Sequence, residues 1–229
     1  MSGFFVPGEH EEFIEQIEDP DLRKVASAES HYFRSEYEMA VHHTMELLDH
    51  EDPAIRNSAI MLFSFANLPL GNTKVAWQGL AKVMDFVENI ADDAPEETKA
   101  LGVFFGNLAS VYTHQRPYDR EGLSKYTLFL PRGTRYFALR TMAHDAYLAG
   151  NYERSLGISQ ACLSIYQDTV PLAAIYVRML MVMDLMSLKQ PQEAEALSLM
   201  TRSSWRTRTV SWSPLWSIRH CCRASSKFV

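Results

Sequence analysis

One short pattern recurs along the chain and constrains its fold more than any other feature. Ser35-Glu36-Tyr37-Glu38-Met39-Ala40 is matched by Gly150-Asn151-Tyr152-Glu153-Arg154-Ser155, and more weakly by Asn72-Thr73-Lys74-Val75-Ala76 and Gln190-Pro191-Gln192-Glu193-Ala194. The small residues closing these copies, Ala40, Ala76, Ser155 and Ala194, stand 36, 79 and 39 apart, the middle interval being about two repeats. A degenerate copy is therefore expected between Tyr112 and Leu123, where Arg116-Pro117-Tyr118-Asp119 makes a turn. Between the copies, apolar residues recur at three- and four-residue spacing and strand-like alternation is scarce. Breaks such as Glu51-Asp52-Pro53, Asp92-Asp93-Ala94-Pro95 and Pro131-Arg132-Gly133 supply stops, caps and helix-opening prolines. The pattern predicts an all-α chain of helices about 12 to 20 residues long, a normal helical length.

A small residue early in the second helix of a hairpin lets two helices approach closely. It needs a small residue facing it near the middle of the first helix, and Ala28 and Ala143 sit twelve positions before Ala40 and Ser155. The tyrosine of the turn then covers the hairpin end. These features resemble the tetratricopeptide repeat, although that family's tryptophan and proline positions are largely missing here and the spacing exceeds its usual length of about 34 residues. One hairpin cannot bury its apolar face alone, so neighbours must stack. The expected architecture is a tetratricopeptide-like helical-repeat solenoid of about five helix pairs, right-handed, over residues 1–201.

Composition changes sharply after Thr201. Residues 202–229 hold six basic residues and no acid, three tryptophans (Trp205, Trp212 and Trp216), and Cys221-Cys222. The whole chain carries −6, so the body before this boundary is more acidic still, which argues against non-specific nucleic-acid binding. A poorly ordered basic tail is expected there. Nothing near Met1 resembles a secretory signal, and Arg178 and Asp184 interrupt the richest apolar stretch, Ala173 to Met186. With three cysteines and no export signal, a disulfide framework is not expected and a cytoplasmic location is.

Catalytic chemistry is hard to assemble from these residues. His42 and His43 are adjacent and so point apart on a helix, while His31, His114 and His144 lack zinc-type spacing to a cysteine. No phosphate-cradling glycine loop and no nucleophile elbow is present. The expectation is a binding protein and not an enzyme, with no cofactor and no metal. The candidate partner or ligand contact is the run Phe129 to Arg140, where Arg132, Arg135, Tyr136 and Arg140 gather around a helix start within an acidic body. Such a group suits an anion or a peptide on a concave face.

The stretch Leu130-Pro131-Arg132-Gly133-Thr134-Arg135-Tyr136-Phe137-Ala138, together with His144-Asp145-Ala146-Tyr147-Leu148-Ala149-Gly150-Asn151-Tyr152 and Ala174-Ile175-Tyr176-Val177-Arg178, resembles the helical sensor region of LuxR-type regulators from actinobacterial gut lineages. In that family a tetratricopeptide-like region, similar to that of the maltose regulator, precedes a helix-turn-helix that binds DNA. The resemblance implies the effector- or partner-binding region of a transcription regulator, with a protein, peptide or small effector as partner and a possible homo-oligomer. DNA would be met only through a helix-turn-helix that this chain lacks. The alternative is a stand-alone interaction scaffold. The tail departs from the family. Back-translated and read in the neighbouring frame, Trp205 to Ala224 can spell A-D-A-D-G-L-V-E-P-L-V-E-H-P-A-L-L-Q-G, similar to the family's continuation. A frameshift near Arg202 would account for the tail's composition; the alternative is a genuine basic, tryptophan-bearing tail that binds nucleic acid or an anionic surface.

Overall fold

The computed structural model describes residues 10–113, 119–166 and 171–206, and the side chains of residues 132, 171–173 and 202–206 are not among those described. The described chain is all-α. Its helices are α1 (His10–Glu15), α2 (Pro20–Phe33), α3 (Tyr37–Met45), α4 (Pro53–Asn67), α5 (Thr73–Glu88), α6 (Glu96–Tyr112), α7 (Arg120–Tyr126), α8 (Arg132–Leu148), α9 (Tyr152–Tyr166), α10 (Pro171–Ser187) and α11 (Pro191–Arg206). None of the described helices is long and apolar enough to cross a membrane.

Local chemistry sets the helix starts. Asp19 caps α2 by accepting from the backbone N–H groups of Asp21 and Leu22 at 2.9 and 3.0 Å, with Pro20 pre-set for the first helical position. Asp52 and Pro53 repeat the device at α4, where the Asp52 carboxylate accepts from Ala54 N–H at 2.7 Å.

The recurring sequence pattern marks four turns with one geometry. A residue with positive φ stands five positions before the small residue of each copy: Ser35 (61°), Gly71 (81°), Gly150 (75°) and Lys189 (61°). At each turn the next residue's N–H reaches back five positions to a carbonyl, Glu36 to His31, Asn72 to Asn67, Asn151 to Ala146 and Gln190 to Leu185, all at 2.9 Å. The positive-φ residue itself donates to the carbonyl three back in every case. This double bond satisfies the carbonyls left open at a helix end. Each second helix then opens with the same bond, from Ala40, Ala76, Ser155 and Ala194 to the carbonyl four residues earlier.

The helices pack in adjacent pairs: α2 with α3, α4 with α5, α6 with α7, α8 with α9, and α10 with α11. Ala28, Ala40, Ala76, Ala143, Ser155 and Ala194 are all buried, at 2% exposure or less. The third pair differs. Asp119 caps α7, and the residue bonding to its carbonyl is Leu123, a large side chain where the other pairs have a small one. Asn107 of α6 ties this pair together, donating to the Asp119 carbonyl at 2.8 Å and accepting from its N–H at 3.3 Å. Of the expected tail, residues up to Arg206 continue α11 past the compositional change at Thr201, and residues 207–229 lie outside the described ones.

Even-numbered helices also touch the next even-numbered helix, α2 to α4, α4 to α6, α6 to α8 and α8 to α10. They form one row, with the second helix of each pair outside it. Packed helices lie about 8–10 Å apart, so a straight row would hold α2 roughly 40 Å from α10. The rings of Phe33 on α2 and Tyr176 on α10 are instead 5.4 Å apart. The row must curl strongly, with the even-numbered helices on its inner side.

Candidate functional site

Curling brings the inner faces of the even-numbered helices together, and Arg140 lies where they meet. Its guanidinium donates to the Tyr112 hydroxyl and lies over two tyrosine rings, 5.3 Å from the centroid of Tyr112 and 5.2 Å from that of Tyr176. Such stacking suits a delocalised cation. Tyr112 ends α6 and stacks on Phe65 of α4 at 4.6 Å. Tyr32, next to Phe33 at the end of α2, meets Tyr37 edge-on at 5.8 Å. His144, one turn beyond Arg140, adds an edge contact to Tyr112 at 6.0 Å.

The charge on Arg140 has no carboxylate to answer it among the described residues; its electrostatic neighbours are the oxygens of Tyr112, Tyr136 and Tyr176. Burial works against that charge, and the tyrosine oxygens offset it. Burial likewise pushes the hydroxyls of Tyr32, Tyr136 and Tyr176 well above the ordinary phenol range, so they stay protonated and can donate. Tyr136 is fully buried and its hydroxyl has no hydrogen-bond partner among the described residues. Arg140, Tyr32, Tyr112 and Tyr176 are only partly buried, so water reaches the cluster.

Of the four residues singled out from the sequence, the three whose side chains are described do not come together in one site. Arg135 is committed elsewhere: its Nε donates to the Leu130 carbonyl at 2.8 Å and its Nη2 to the Leu128 carbonyl at 2.7 Å. It fastens the turn before α8. Tyr136 belongs to the core between α8, α9 and α10, packing edge-on against Tyr166 at 5.8 Å. The side chain of Arg132 lies outside the described ones. Of the three described, Arg140 is the one that stands at the inner face. Its neighbours Tyr32, Tyr112 and Tyr176, and Phe33 against Tyr176, come from other helix pairs. The signal that could have found them is an aromatic at or beside the end of a first helix, as at Tyr32, Phe33 and Tyr112.

The histidines also need a correction. His31 is isolated in sequence but not in space: its ring stacks on that of His43 at 5.1 Å, and its Nδ1 lies 2.6 Å from Glu36 Oε2. Hairpin pairing of α2 with α3 brings them together. Among the described residues no group of three or more histidines, cysteines or carboxylates is placed to hold a metal. His114 lies outside the described residues. The tyrosines of the turns do cover the hairpin ends, Tyr37 on Tyr32 and Tyr152 on Tyr147 at 5.5 Å.

Two other features are set apart from the inner face. A cavity of about 340 Å³ opens between α5 and α6, lined by Trp77, Met84, Asp85, Glu88, Ser110 and Thr113. Its two hydroxyl groups are bonded back to carbonyls of α6, Ser110 to Gly106 and Thr113 to Ala109, both at 2.8 Å. Between α9 and α10, Asp184 is fully buried, and its Oδ2 accepts from Ser155 Oγ at 2.9 Å while Oδ1 has no partner. Burial raises this carboxyl to about 7, against the opposite pull of the Ser155 bond.

No family model, curated protein or solved structure matches this chain.

Proposed function

We propose that this chain is a tetratricopeptide-like helical-repeat region that senses an effector or partner for a LuxR-type transcription regulator, and that the inner face around Arg140 takes the ligand. The observation that carries the ligand site is the convergence of Tyr112 and Tyr176, with Phe33 against Tyr176, around Arg140, a cation with no carboxylate partner among the described residues. A partly buried cation with no carboxylate among the described residues keeps donors in reserve, and proteins hold such groups where a ligand completes them. The regulator class rests on the resemblance of the segments beginning at Leu130, His144 and Ala174. Ligand entry would alter how the first and last helix pairs close on each other, and so present or hide a DNA-reading element outside this chain. The chain by itself then binds no operator specifically; tight, salt-resistant retardation of one DNA sequence would contradict this.

The experiment is thermal unfolding of the full chain with cell extract split into small-molecule and macromolecular fractions. A rise in melting temperature with the small-molecule fraction, lost in Arg140→Met, supports an effector sensor. A rise with neither fraction overturns the reading of the inner face as a ligand site. A rise with the macromolecular fraction alone supports the second reading, an interaction scaffold. That reading is favoured by the exposed apolar side chains of Met186 on α10, at 57%, and Leu199 on α11, at 56% exposure. Sequencing the nucleotides past the codon for Met200 decides the origin of residues 202–229. An adjacent open frame encoding a helix-turn-helix supports the frameshift, and early stops in that frame exclude it.

A further inference from the structure

We infer that the cluster around Arg140 is a site for a small organic acid, one carboxylate on a flat apolar body. This rests on reading the inner face as a ligand-binding surface and names the ligand's chemistry. A guanidinium has five N–H donors and no acceptor, and only Tyr112 among the described residues accepts from Arg140. Behind it, on the core side of α8, the hydroxyl of Tyr136 has no hydrogen-bond partner among the described residues and lies within electrostatic reach of Arg140. Tyr32 and Tyr176 also form part of this surround, and their raised pKa values keep both hydroxyls in the donor form. The unmet requirement is that of the guanidinium, which has N–H donors to spare and no acidic acceptor among the described residues. An oxyanion satisfies it.

The surroundings choose among oxyanions. One stacked guanidinium, walled by rings, fits a single negative charge better than the two of a phosphate. Phe33 and Tyr176, 5.4 Å apart and tilted by 52°, offer ring faces and edges to an aromatic or comparably flat body. Bidentate contact between carboxylate and guanidinium would fix its orientation. A ligand held there touches both the first and the last helix pair, so its charge is bound where the curl closes.

The same carboxylate chemistry can come from a free acid or from a peptide C-terminus, and the test separates them. Calorimetric titration of the full chain would use phenylacetate and indole-3-acetate, the matched amides, the tripeptide Gly-Gly-Phe, and inorganic phosphate. The expected result is saturable binding of at least one acid, at least tenfold weaker for its amide. Arg140→Met should weaken the acid tenfold or more, and Tyr176→Phe, which removes only a hydroxyl, should weaken it a few-fold with the fold intact by circular dichroism. Equal binding of acid and amide, or binding of phosphate alone, overturns the inference. Tripeptide binding well above that of the free acids overturns the small-acid assignment and gives the carboxylate to a peptide end. If none of these probes binds while extract still raises the melting temperature through Arg140, this inference fails and the sensor reading stands. If extract also has no effect, both fail.

Discussion

Asp184 should make the stability of this chain fall as pH rises through neutrality, and Asp184→Asn should remove that fall. The carboxyl is fully buried, bonded once to Ser155 Oγ at 2.9 Å, with its second oxygen unpartnered. Burial raises its pKa from 3.8 to about 7, so between those values the folded chain keeps a proton that the unfolded chain has released. Stability is then fully supported below the unfolded value and declines with a slope approaching ~1.4 kcal/mol per pH unit until the folded carboxyl ionises. Across the whole window the loss has a ceiling of about 4 kcal/mol, a large part of a typical domain's stability. An asparagine keeps the Ser155 bond but does not titrate. His10 and His43 run the other way: burial lowers both, so their contribution is lost as pH falls, but it is common to both chains and cancels in the difference. The assay is urea unfolding of both proteins from pH 5 to pH 8.5, followed by helical circular dichroism. The variant should match or trail the parent at pH 5 and exceed it at pH 8.5. Parallel curves of stability against pH would refute the reasoning.

Other outcomes follow from the turns and the core. Ser35 and Lys189 hold left-handed backbone where Gly71 and Gly150 occupy the same place in other turns; Ser35→Gly should therefore stabilise by up to about 1 kcal/mol and Gly150→Ala should destabilise by about 1 kcal/mol, both read by urea midpoint. Ala40 and Ala76 are buried where two helices approach, so Ala40→Leu or Ala76→Leu should cost about 1–3 kcal/mol by overpacking, and an unchanged midpoint would remove the close-approach argument. Cys162 is fully buried and burial pushes its thiol up to about 12, so peptide mapping after iodoacetamide should find it alkylated only in denaturant.

The turn pattern was legible because its causes are local. Each aligned copy follows a helix end whose last carbonyls need two donors from the next few residues, and a residue able to take positive φ supplies the geometry. Side-chain size is local too, so Ala40, Ala76, Ser155 and Ala194 could be read as helix contacts without a structure. The degenerate third copy was harder because Leu123 replaces the small residue and Asn107, sixteen residues earlier, holds the turn instead.

The candidate site was legible only at Arg140. Sequence proximity joined Arg132, Arg135, Tyr136 and Arg140, but successive helical positions point about 100° apart. Arg135 turns back to the carbonyls of Leu128 and Leu130, Tyr136 enters the core, and Arg140 reaches the inner face. Its partners could not be foreseen, because Phe33 and Tyr176 meet only through the summed rotation of successive helix pairs. The sequence by itself determined the helices, their turns and their pairwise contacts, since hydrogen-bond reach and side-chain volume act over a few residues. The tertiary structure decided which aromatic rings surround Arg140, because curvature accumulates over the whole row and no short segment contains it.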